Sequence, residues 1–181
     1  MDDLRDRVTG AKVFTKLDLK DGYHRVRMRT GDEHKTAFRT RYGQYEYNIM
    51  RFGLVNAPAT FETMMNNILG EFLDQGVVVY LDDILIYSEN IDDHINLVQK
   101  VVDRLEQHEL AVSLIKSVFH QDEVKFLGYI VKTSGVTMSD RKVKSDKIGH
   151  TRDGLKNYKF SLDSEMFIDN SSRISQKYAS Q

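Results

Sequence analysis

Two short apolar runs separated by a pair of aspartates constrain the fold of this chain more than any other feature. Residues 77–81 (VVVYL) and 84–87 (ILIY) each have the length of a strand, and only Asp82 and Asp83 lie between them. Such a short connection joins antiparallel strands through a tight turn. The sequence therefore predicts a hairpin that carries both acids at its tip.

The segments before this hairpin predict further strands. Residues 13–19 alternate between apolar and polar side chains, which is typical of a half-buried strand. Residues 35–41 and 44–50 are rich in Thr, Phe and Tyr and flank Tyr42 and Gly43. They predict a second hairpin, since aromatic and β-branched residues favour strands and glycine favours the turn.

Two amphipathic helices separate the predicted strands. The first begins at residues 56–58, where Pro58 occupies a position that needs no N–H donor, and it ends near residues 74–76. The second is capped by Asp92 or Asp93. The apolar residues at helical spacing are Phe61, Met64, Met65, Ile68, Leu69 and Phe72 in the first helix and Ile95, Val98, Val102 and Leu105 in the second.

Two more strands are predicted after the second helix, over residues 110–114 and 125–131. The core elements then follow the order strand, helix, strand, strand, helix, strand. This is the split β-α-β order of an α+β, ferredoxin-like sheet with two helices on one face. In this topology the first and third core strands are adjacent at the centre of the sheet.

Composition excludes several kinds of function. The chain has 181 residues, 40% of them hydrophobic, which suits one globular core. It contains no cysteine, so disulfides, thiolate metal sites and a cysteine nucleophile are excluded. Without a run of roughly 20 apolar residues, the sequence predicts no interaction with a membrane. The formal net charge of -1 decides nothing about nucleic acid, because a local basic patch is enough to bind a polyanion.

Three aspartates carry the predicted chemistry. Asp18 lies at the exit of the first strand, and the topology allows it to converge with Asp82 and Asp83 at one edge of the sheet. Neighbouring carboxylates repel, and since no Lys or Arg lies in the same turn, bound divalent cations best explain the cluster. Two magnesium ions about 4 Å apart activate an attacking hydroxyl and stabilise a leaving pyrophosphate. The sequence therefore predicts phosphoryl transfer by two metal ions.

Structural explanations exist for each of these residues when taken alone. An Asp-Asp pair is common in turns, and Asp18 alone fits a solvated strand end. Lys116 alone fits a solvated loop. Four aromatic residues fit packing against the sheet: Tyr23, Phe38, Tyr45 and Tyr47. Only the joint arrangement favours a functional site, and a metal-independent ferredoxin-like binding module stays open as an alternative.

Four segments closely resemble successive motifs of reverse transcriptases. They are residues 14–24 (FTKLDLKDGYH), 52–61 (FGLVNAPATF), 80–83 (YLDD) and 126–131 (FLGYIV), the last similar to the primer-grip segment. The particular residues in these motifs are similar to those of Gypsy-type long-terminal-repeat retrotransposon polyproteins. The resemblance implies the palm of a right-hand polymerase with a partial fingers hairpin, and thus an RNA-directed DNA polymerase, a nucleotidyltransferase.

The resemblance also implies roles for individual residues at the metal site. Asp18, Asp82 and Asp83 fall on the catalytic, metal-binding aspartates of the family, and the backbone carbonyl of Leu19 falls on a further metal ligand. The cofactor implied is a pair of Mg²⁺ ions, for which Mn²⁺ is a substitute.

Three other positions are implied to serve the substrate. Tyr23 falls on the aromatic residue that lies under the sugar and excludes a ribose 2′-hydroxyl, so we expect it to point at the nucleotide pocket. Phe52 falls beside the sugar and base of the incoming nucleotide. Lys116 falls on a candidate proton donor to pyrophosphate, followed by Ser117 where the family usually has cysteine. The implied partners are deoxynucleoside triphosphates and an RNA or DNA template with its primer, held mainly through backbone contacts.

The extent of the resemblance limits the activity that we expect. It runs from Met1 to about Lys144, so the family's first fingers strands, thumb, connection and ribonuclease H segments have no counterpart here. We expect the isolated chain to be a weak or inactive polymerase, and the alternative is a catalytically silent retroelement remnant that at most binds nucleic acid or a partner. The location within the cell, cytoplasmic or nuclear, and the oligomeric state stay open.

The last part of the chain differs in character. From about Ser145 the apolar positions follow neither helical nor strand spacing, which predicts a weakly ordered tail. Reading residues 165–171 in a shifted codon frame permits a sequence like the Ala-Asn-x-Tyr-Arg-Arg-Phe segment with which the family continues. We therefore predict a palm with partial fingers over residues 1–145 and an out-of-frame tail over residues 146–181.

Overall fold

A four-stranded antiparallel sheet forms the centre of the computed structural model, which describes residues 2–139. In chain order the elements are α1 (Asp2–Arg7), β1 (Val13–Asp18), β2 (Phe38–Thr40), β3 (Gly43–Tyr45), α2 (Ala57–Leu69), β4 (Val77–Tyr80), β5 (Asp83–Ser88), α3 (Ile91–Gln107), β6 (Val118–Gln121), β7 (Glu123–Phe126), β8 (Tyr129–Lys132) and β9 (Gly135–Met138). Two 3₁₀ turns, Gly22–Arg25 and Glu33–Thr36, follow β1. The predicted tail, residues 146–181, lies outside the described residues.

The central sheet has the strand order β4-β5-β1-β6. This is the ferredoxin-like order, with the first and third core strands, β1 and β5, side by side at the centre, so the predicted topology is confirmed. Helices α2 and α3 contact each other and pack on one face of the sheet. Side chains alternate between the two faces along each strand, so the central strands contribute residues to two separate hydrophobic clusters, one on each face.

The face under the helices carries the larger core. Leu17 of β1 and Ile84 and Ile86 of β5 point toward Phe61 and Met65 of α2 in one buried cluster. At about 25 cal/mol per Å² of apolar surface, burial of such side chains is the main force that holds α2 and α3 on the sheet.

The opposite face is covered over only part of its length. Phe14 and Leu85 project there and pack with Val124, Phe126 and Val131 of a second, three-stranded antiparallel sheet, β7-β8-β9. Beyond Phe14, toward the end of β1, the side chains on this face are polar. The strand therefore changes from an apolar, covered segment to a charged one within a few residues.

Two predicted strands differ from the structure. Residues 110–114 form no strand, because a turn at residues 114–116 interrupts the chain and only Val112 makes a bridge, to Leu19; the fourth core strand is instead β6. The segment 125–131 is two strands rather than one. Leu127 and Gly128 have φ values of 50° and 80° and reverse the chain between β7 and β8.

The helices begin and end at other residues than the pattern predicts. Helix α2 ends at Leu69, several residues before the predicted end. The N-cap of α3 is Asn90, whose side chain accepts a hydrogen bond from the N–H of Asp93 at 2.9 Å. The helix buries His94 and Val101 besides the predicted Val98 and Leu105, whereas Ile95 is exposed.

Two smaller features complete the fold. The hairpin predicted around Tyr42 and Gly43 is present as β2 and β3, although each strand has only three residues and both are exposed. Within residues 2–139, the helices are too short or too polar to cross a membrane.

A buried polar network joins α3 to three strands of the central sheet. His94 is fully buried; its Nε2 lies 2.8 Å from the Thr15 hydroxyl and its Nδ1 lies 3.2 Å from the Ser88 hydroxyl. Thr15 also accepts the main-chain N–H of His120 at 3.0 Å. We assign a neutral His94 that accepts at Nε2 and donates at Nδ1, which satisfies every group of this network. Burial, followed by the nearby His120, lowers the pKa of His94 from 6.5 to about 4.

This network predicts that the fold loses stability as the pH falls from about 6.5 toward 4. The folded-state pKa of His94 lies below its unfolded value, so its contribution is present above pH 6.5 and is lost as the unfolded state takes up a proton. The loss is on the order of 3 kcal/mol. Urea unfolding at several pH values measures it.

Two variants, His94→Gln and His108→Gln, distinguish the contribution of His94 to the pH dependence of stability from that of other titrating residues. His94→Gln removes the titrating group and flattens the pH dependence in this window, whereas His108→Gln, at the exposed end of α3, keeps the wild-type slope. An identical slope for His94→Gln and the wild type would contradict the assignment.

Candidate active site

The pairing of β1 with β5 brings two of the predicted site residues together. Asp18 lies directly opposite Asp83 in the antiparallel register, on the face of the sheet away from α2 and α3. Residues directly opposite have Cβ atoms roughly 5 Å apart. Asp82 precedes Asp83 in the turn, so all three aspartates lie at the same end of the sheet.

The main chain also joins these segments. The N–H of Leu19 donates to the carbonyl of Asp82 at 3.1 Å, which ties the exit of β1 to the turn between β4 and β5. On the other side of β1, the N–H of Lys20 donates to Ala111 and the N–H of Ser113 donates to the Asp18 carbonyl. The Leu19 carbonyl takes part in none of these three bonds.

The turn differs from the predicted one in a single respect. Tyr80 pairs with Asp83, so the tip consists of Leu81 and Asp82, and Asp83 is already the first residue of β5. Leu81 has a φ of 54°, in the left-handed region that favours glycine. Asp82 therefore lies at the tip of the hairpin. Asp83 lies on the face of the sheet away from α2 and α3, here called the open face.

Two lysines form ion pairs with two of the three aspartates. Lys16 Nζ lies 2.8 Å from Asp83 Oδ1, and Lys116 Nζ lies 3.5 Å from Asp18 Oδ1. The turn itself holds no basic residue, as the sequence indicates. The two lysines come from elsewhere: Lys16 lies two residues before Asp18 on the same face of β1, and Lys116 comes from a distant loop. Occupation of this cluster by divalent cations stays a prediction.

The residues fit a divalent cation in one respect. Oδ1 of Asp18 is buried and accepts no hydrogen bond, and Lys116 Nζ lies 3.5 Å from it, so the oxygen is free to coordinate a cation if Lys116 moves away. Carboxylate and carbonyl oxygens are the ligands that Mg²⁺ takes in proteins. Within residues 2–139, however, no three Asp, Glu, His or Cys side chains are gathered closely enough to hold an ion.

Tyr23 is buried, contrary to the expectation that it points into an open pocket. Its side chain is 6% exposed and stacks on Phe61 of α2, with ring centroids 4.7 Å apart. The ring of Phe52 also contacts it, tilted, with centroids 4.5 Å apart, and Phe52 is itself 70% exposed. The cause is packing: Tyr23 belongs to the core cluster under the helices.

The hydroxyl of Tyr23 is nevertheless close to the aspartate turn. Burial raises the pKa of Tyr23, and the negative charges of Asp82 and of ionised Tyr80 raise it further. The phenol is therefore neutral and lies near the site. Its role in choosing the sugar stays a prediction.

The loop that carries Lys116 contains a residue that the sequence analysis did not assign to the site. Ser117 accepts the main-chain N–H of Asp18 at 3.1 Å through its Oγ. Lys116 itself is 69% exposed, with only its Nζ near Asp18. The only sequence signal was the serine next to Lys116, which by itself predicts no contact.

The comparisons with known proteins agree with this arrangement. The family described as "Reverse transcriptase (RNA-dependent DNA polymerase)" matches residues 2–131. The Tf2-3 and Tf2-7 transposon polyproteins of Schizosaccharomyces pombe are 44% and 43% identical to the chain over 137 residues, which is 76% of the chain and 10% of each polyprotein. The chain thus spans about a tenth of the length of these curated relatives.

Solved structures give the same result. A foamy viral protease-reverse transcriptase in complex with an RNA/DNA hybrid is similar at 27% identity and a TM-score of 0.68, over 79% of this chain and 19% of that one. The same protein in complex with dsDNA gives a TM-score of 0.67 over 79% of this chain and 29% of that one. The described elements are therefore those of a polymerase palm with part of its fingers.

The chain belongs to the reverse transcriptase family. Its similarity to transposon polyproteins confirms the resemblance to retrotransposon sequences drawn from the motifs. Members of this family generally use divalent metal ions, although the residues that hold them in this chain stay predicted.

The packing of Tyr23 predicts a clear difference between two substitutions. Tyr23→Ala removes a ring packed against two others and lowers the free energy of unfolding by about 3 kcal/mol, whereas Tyr23→Phe keeps these ring contacts and leaves the free energy of unfolding nearly unchanged. Urea unfolding followed by circular dichroism measures both. Equal stability of Tyr23→Ala and the wild type would show that this ring contributes nothing to the core.

Proposed function

We propose that the aspartate end of the sheet binds two divalent cations and transfers deoxynucleotides to a primer end, as an RNA-directed DNA polymerase does. The observation that carries this proposal is Oδ1 of Asp18, a buried carboxylate oxygen without a hydrogen bond, opposite Asp83 and next to the turn that holds Asp82. Lys116 Nζ, 3.5 Å away, compensates the charge of this oxygen without a hydrogen bond, and a bound cation would coordinate the oxygen directly.

The residues of the chain have separate tasks in this proposal. Asp18, Asp82 and Asp83, with the carbonyl of Leu19, hold the ions, and Lys16 has to leave Asp83 when an ion binds. Bound Mg²⁺ would activate the primer hydroxyl and stabilise the leaving pyrophosphate. Lys116 has the exposure and the reach to donate a proton to that pyrophosphate, because its stem is in solvent and its Nζ is beside Asp18.

The nucleotide is assigned to the aromatic residues beside this cluster. Phe52 offers an exposed ring face for the sugar and base of the incoming nucleotide. Tyr23 lies directly behind it and is near enough to Asp82 to feel its charge. Movement of Phe52 alone would bring Tyr23 against the sugar, where it would exclude a 2′-hydroxyl.

Template and primer are assigned to the same end of the sheet. The similar foamy viral enzyme has been solved with an RNA/DNA hybrid and with dsDNA, and this supports a duplex partner for the chain. A polymerase accepts any sequence, so its contacts go mainly to phosphate and sugar.

A second function has an observation in its favour. Lys16 and Lys116 already neutralise Asp83 and Asp18, so the site is electrically satisfied in part without metal. A catalytically silent domain that binds nucleic acid or a partner, but no cation, would have such an arrangement. Cation binding distinguishes the two functions.

The first test is titration of the 181-residue protein with Mn²⁺ by calorimetry. We expect binding that Asp18→Asn weakens by at least roughly tenfold, because this substitution removes a charged ligand. Asp92→Asn, on the exposed first turn of α3, is the matched control and leaves the affinity unchanged. Absence of binding, or binding indifferent to Asp18, would favour the silent domain.

The second test is primer extension on a poly(rA) template with an oligo(dT) primer. Because residues 2–139 form a palm with only two short fingers strands, we expect them to hold primer and triphosphate poorly. Misplacement by about 1 Å costs on the order of 100-fold in rate. The expected outcome is no processive synthesis, with at most single additions that Asp82→Asn abolishes. Robust extension over many nucleotides by the purified chain would contradict this expectation.

A further inference from the structure

A turn of residues 113–117, here named the 113–117 turn, surrounds Asp18 on the side away from β5. Ser113 donates its main-chain N–H to the Asp18 carbonyl at 2.8 Å. Ser117 accepts the Asp18 N–H at 3.1 Å through its hydroxyl, and Lys116 reaches the Asp18 carboxylate at 3.5 Å. The backbone donor, the backbone acceptor and the side chain of Asp18 are therefore all contacted by one five-residue segment.

The turn is itself closed by short main-chain bonds. The N–H groups of Lys116 and Ser117 both donate to the carbonyl of Ser113, at 3.2 and 2.9 Å. This fixes Ser117 relative to Ser113, so the two groups that contact the Asp18 backbone form one unit. Asp18 therefore lies between β5 on one side and the 113–117 turn on the other.

The irregular pairing of β1 with β6 explains why a side chain, rather than a neighbouring strand, bonds the main-chain N–H at the end of β1. The β1–β6 pairing is irregular: its register shifts between Phe14 and Lys16, and β6 begins only at Val118. Regular strand pairing consequently ends before it reaches Asp18. The Asp18 N–H, at the end of a strand and partly buried, is bonded instead to a side-chain hydroxyl.

We propose that Ser117 is a positioning residue for the candidate metal site. By accepting the Asp18 N–H, its hydroxyl fixes the last residue of β1, and with it the direction of the carboxylate whose buried Oδ1 accepts no hydrogen bond. A serine hydroxyl accepts this bond well and alanine cannot. This inference rests on the proposed metal function of Asp18, and it adds a residue that touches neither cation nor substrate.

The test compares three substitutions in the 181-residue protein. Ser117→Ala removes the acceptor, Ser117→Thr keeps it, and Ser113→Ala is the matched control, since Ser113 contacts Asp18 through its main-chain N–H, which alanine retains. Two quantities are measured for each: the affinity for Mn²⁺, and the hydrogen-exchange rate of the Asp18 amide by NMR.

For Ser117→Ala we expect faster exchange of the Asp18 amide by roughly five- to tenfold, from the loss of one hydrogen bond. We expect Mn²⁺ affinity to fall on the order of tenfold, as is typical when a group that orients a metal ligand is removed. Ser117→Thr and Ser113→Ala keep the wild-type values of both quantities.

The outcomes separate this inference from the proposed function. Wild-type affinity and wild-type amide exchange in Ser117→Ala would overturn the positioning role. If the wild type binds no Mn²⁺, the metal function fails, and the exchange rate alone then decides whether Ser117 fixes the end of β1. Weakened affinity in Ser113→Ala to the same extent as in Ser117→Ala would also overturn the assignment, since the effect would not depend on the hydroxyl.

Discussion

The antiparallel register between β1 and β5 is the constraint on which both the core and the site depend. It sets Leu17 against Ile84 under the helices and Asp18 against Asp83 on the open face. Side chains alternate along a strand, so a shift of one residue would exchange these faces. The shift would bury the aspartates and expose the core residues, and the cost of that exchange keeps the carboxylates in place.

The open face of the sheet is divided between two environments. Phe14 and Leu85 lie under the small sheet β7-β8-β9, whereas the same face a few residues later holds Lys16, Asp18 and Asp83. The small sheet thus leaves one end of the central strands accessible. Charges that would be costly to bury alone are confined to that end, where their side chains are only partly buried and are paired with charges of opposite sign.

Much of this arrangement follows from the sequence, because it depends on strong periodic signals. The two apolar runs around Asp82 and Asp83 predict a hairpin, and helical spacing predicts α2 and α3. The fourth core strand was misplaced because β6 is short and mostly exposed, so it lacks an alternating pattern. Contacts between distant segments, such as Lys116 with Asp18 or Asp18 with Ser117, leave no local signal at all.

The backbone conformation of Leu81 affects how narrowly the position of Asp82 is fixed. A leucine at a φ of 54° costs roughly 1–2 kcal/mol, yet its side chain packs against the main core. Glycine there would relax the backbone and lose the packing, two effects of opposite sign that nearly cancel in stability. Both effects of a glycine would, however, make the tip of the hairpin less rigid. The side chain anchors the tip of the hairpin to the domain, so the spread of positions open to Asp82 is narrower than an unstrained turn would allow.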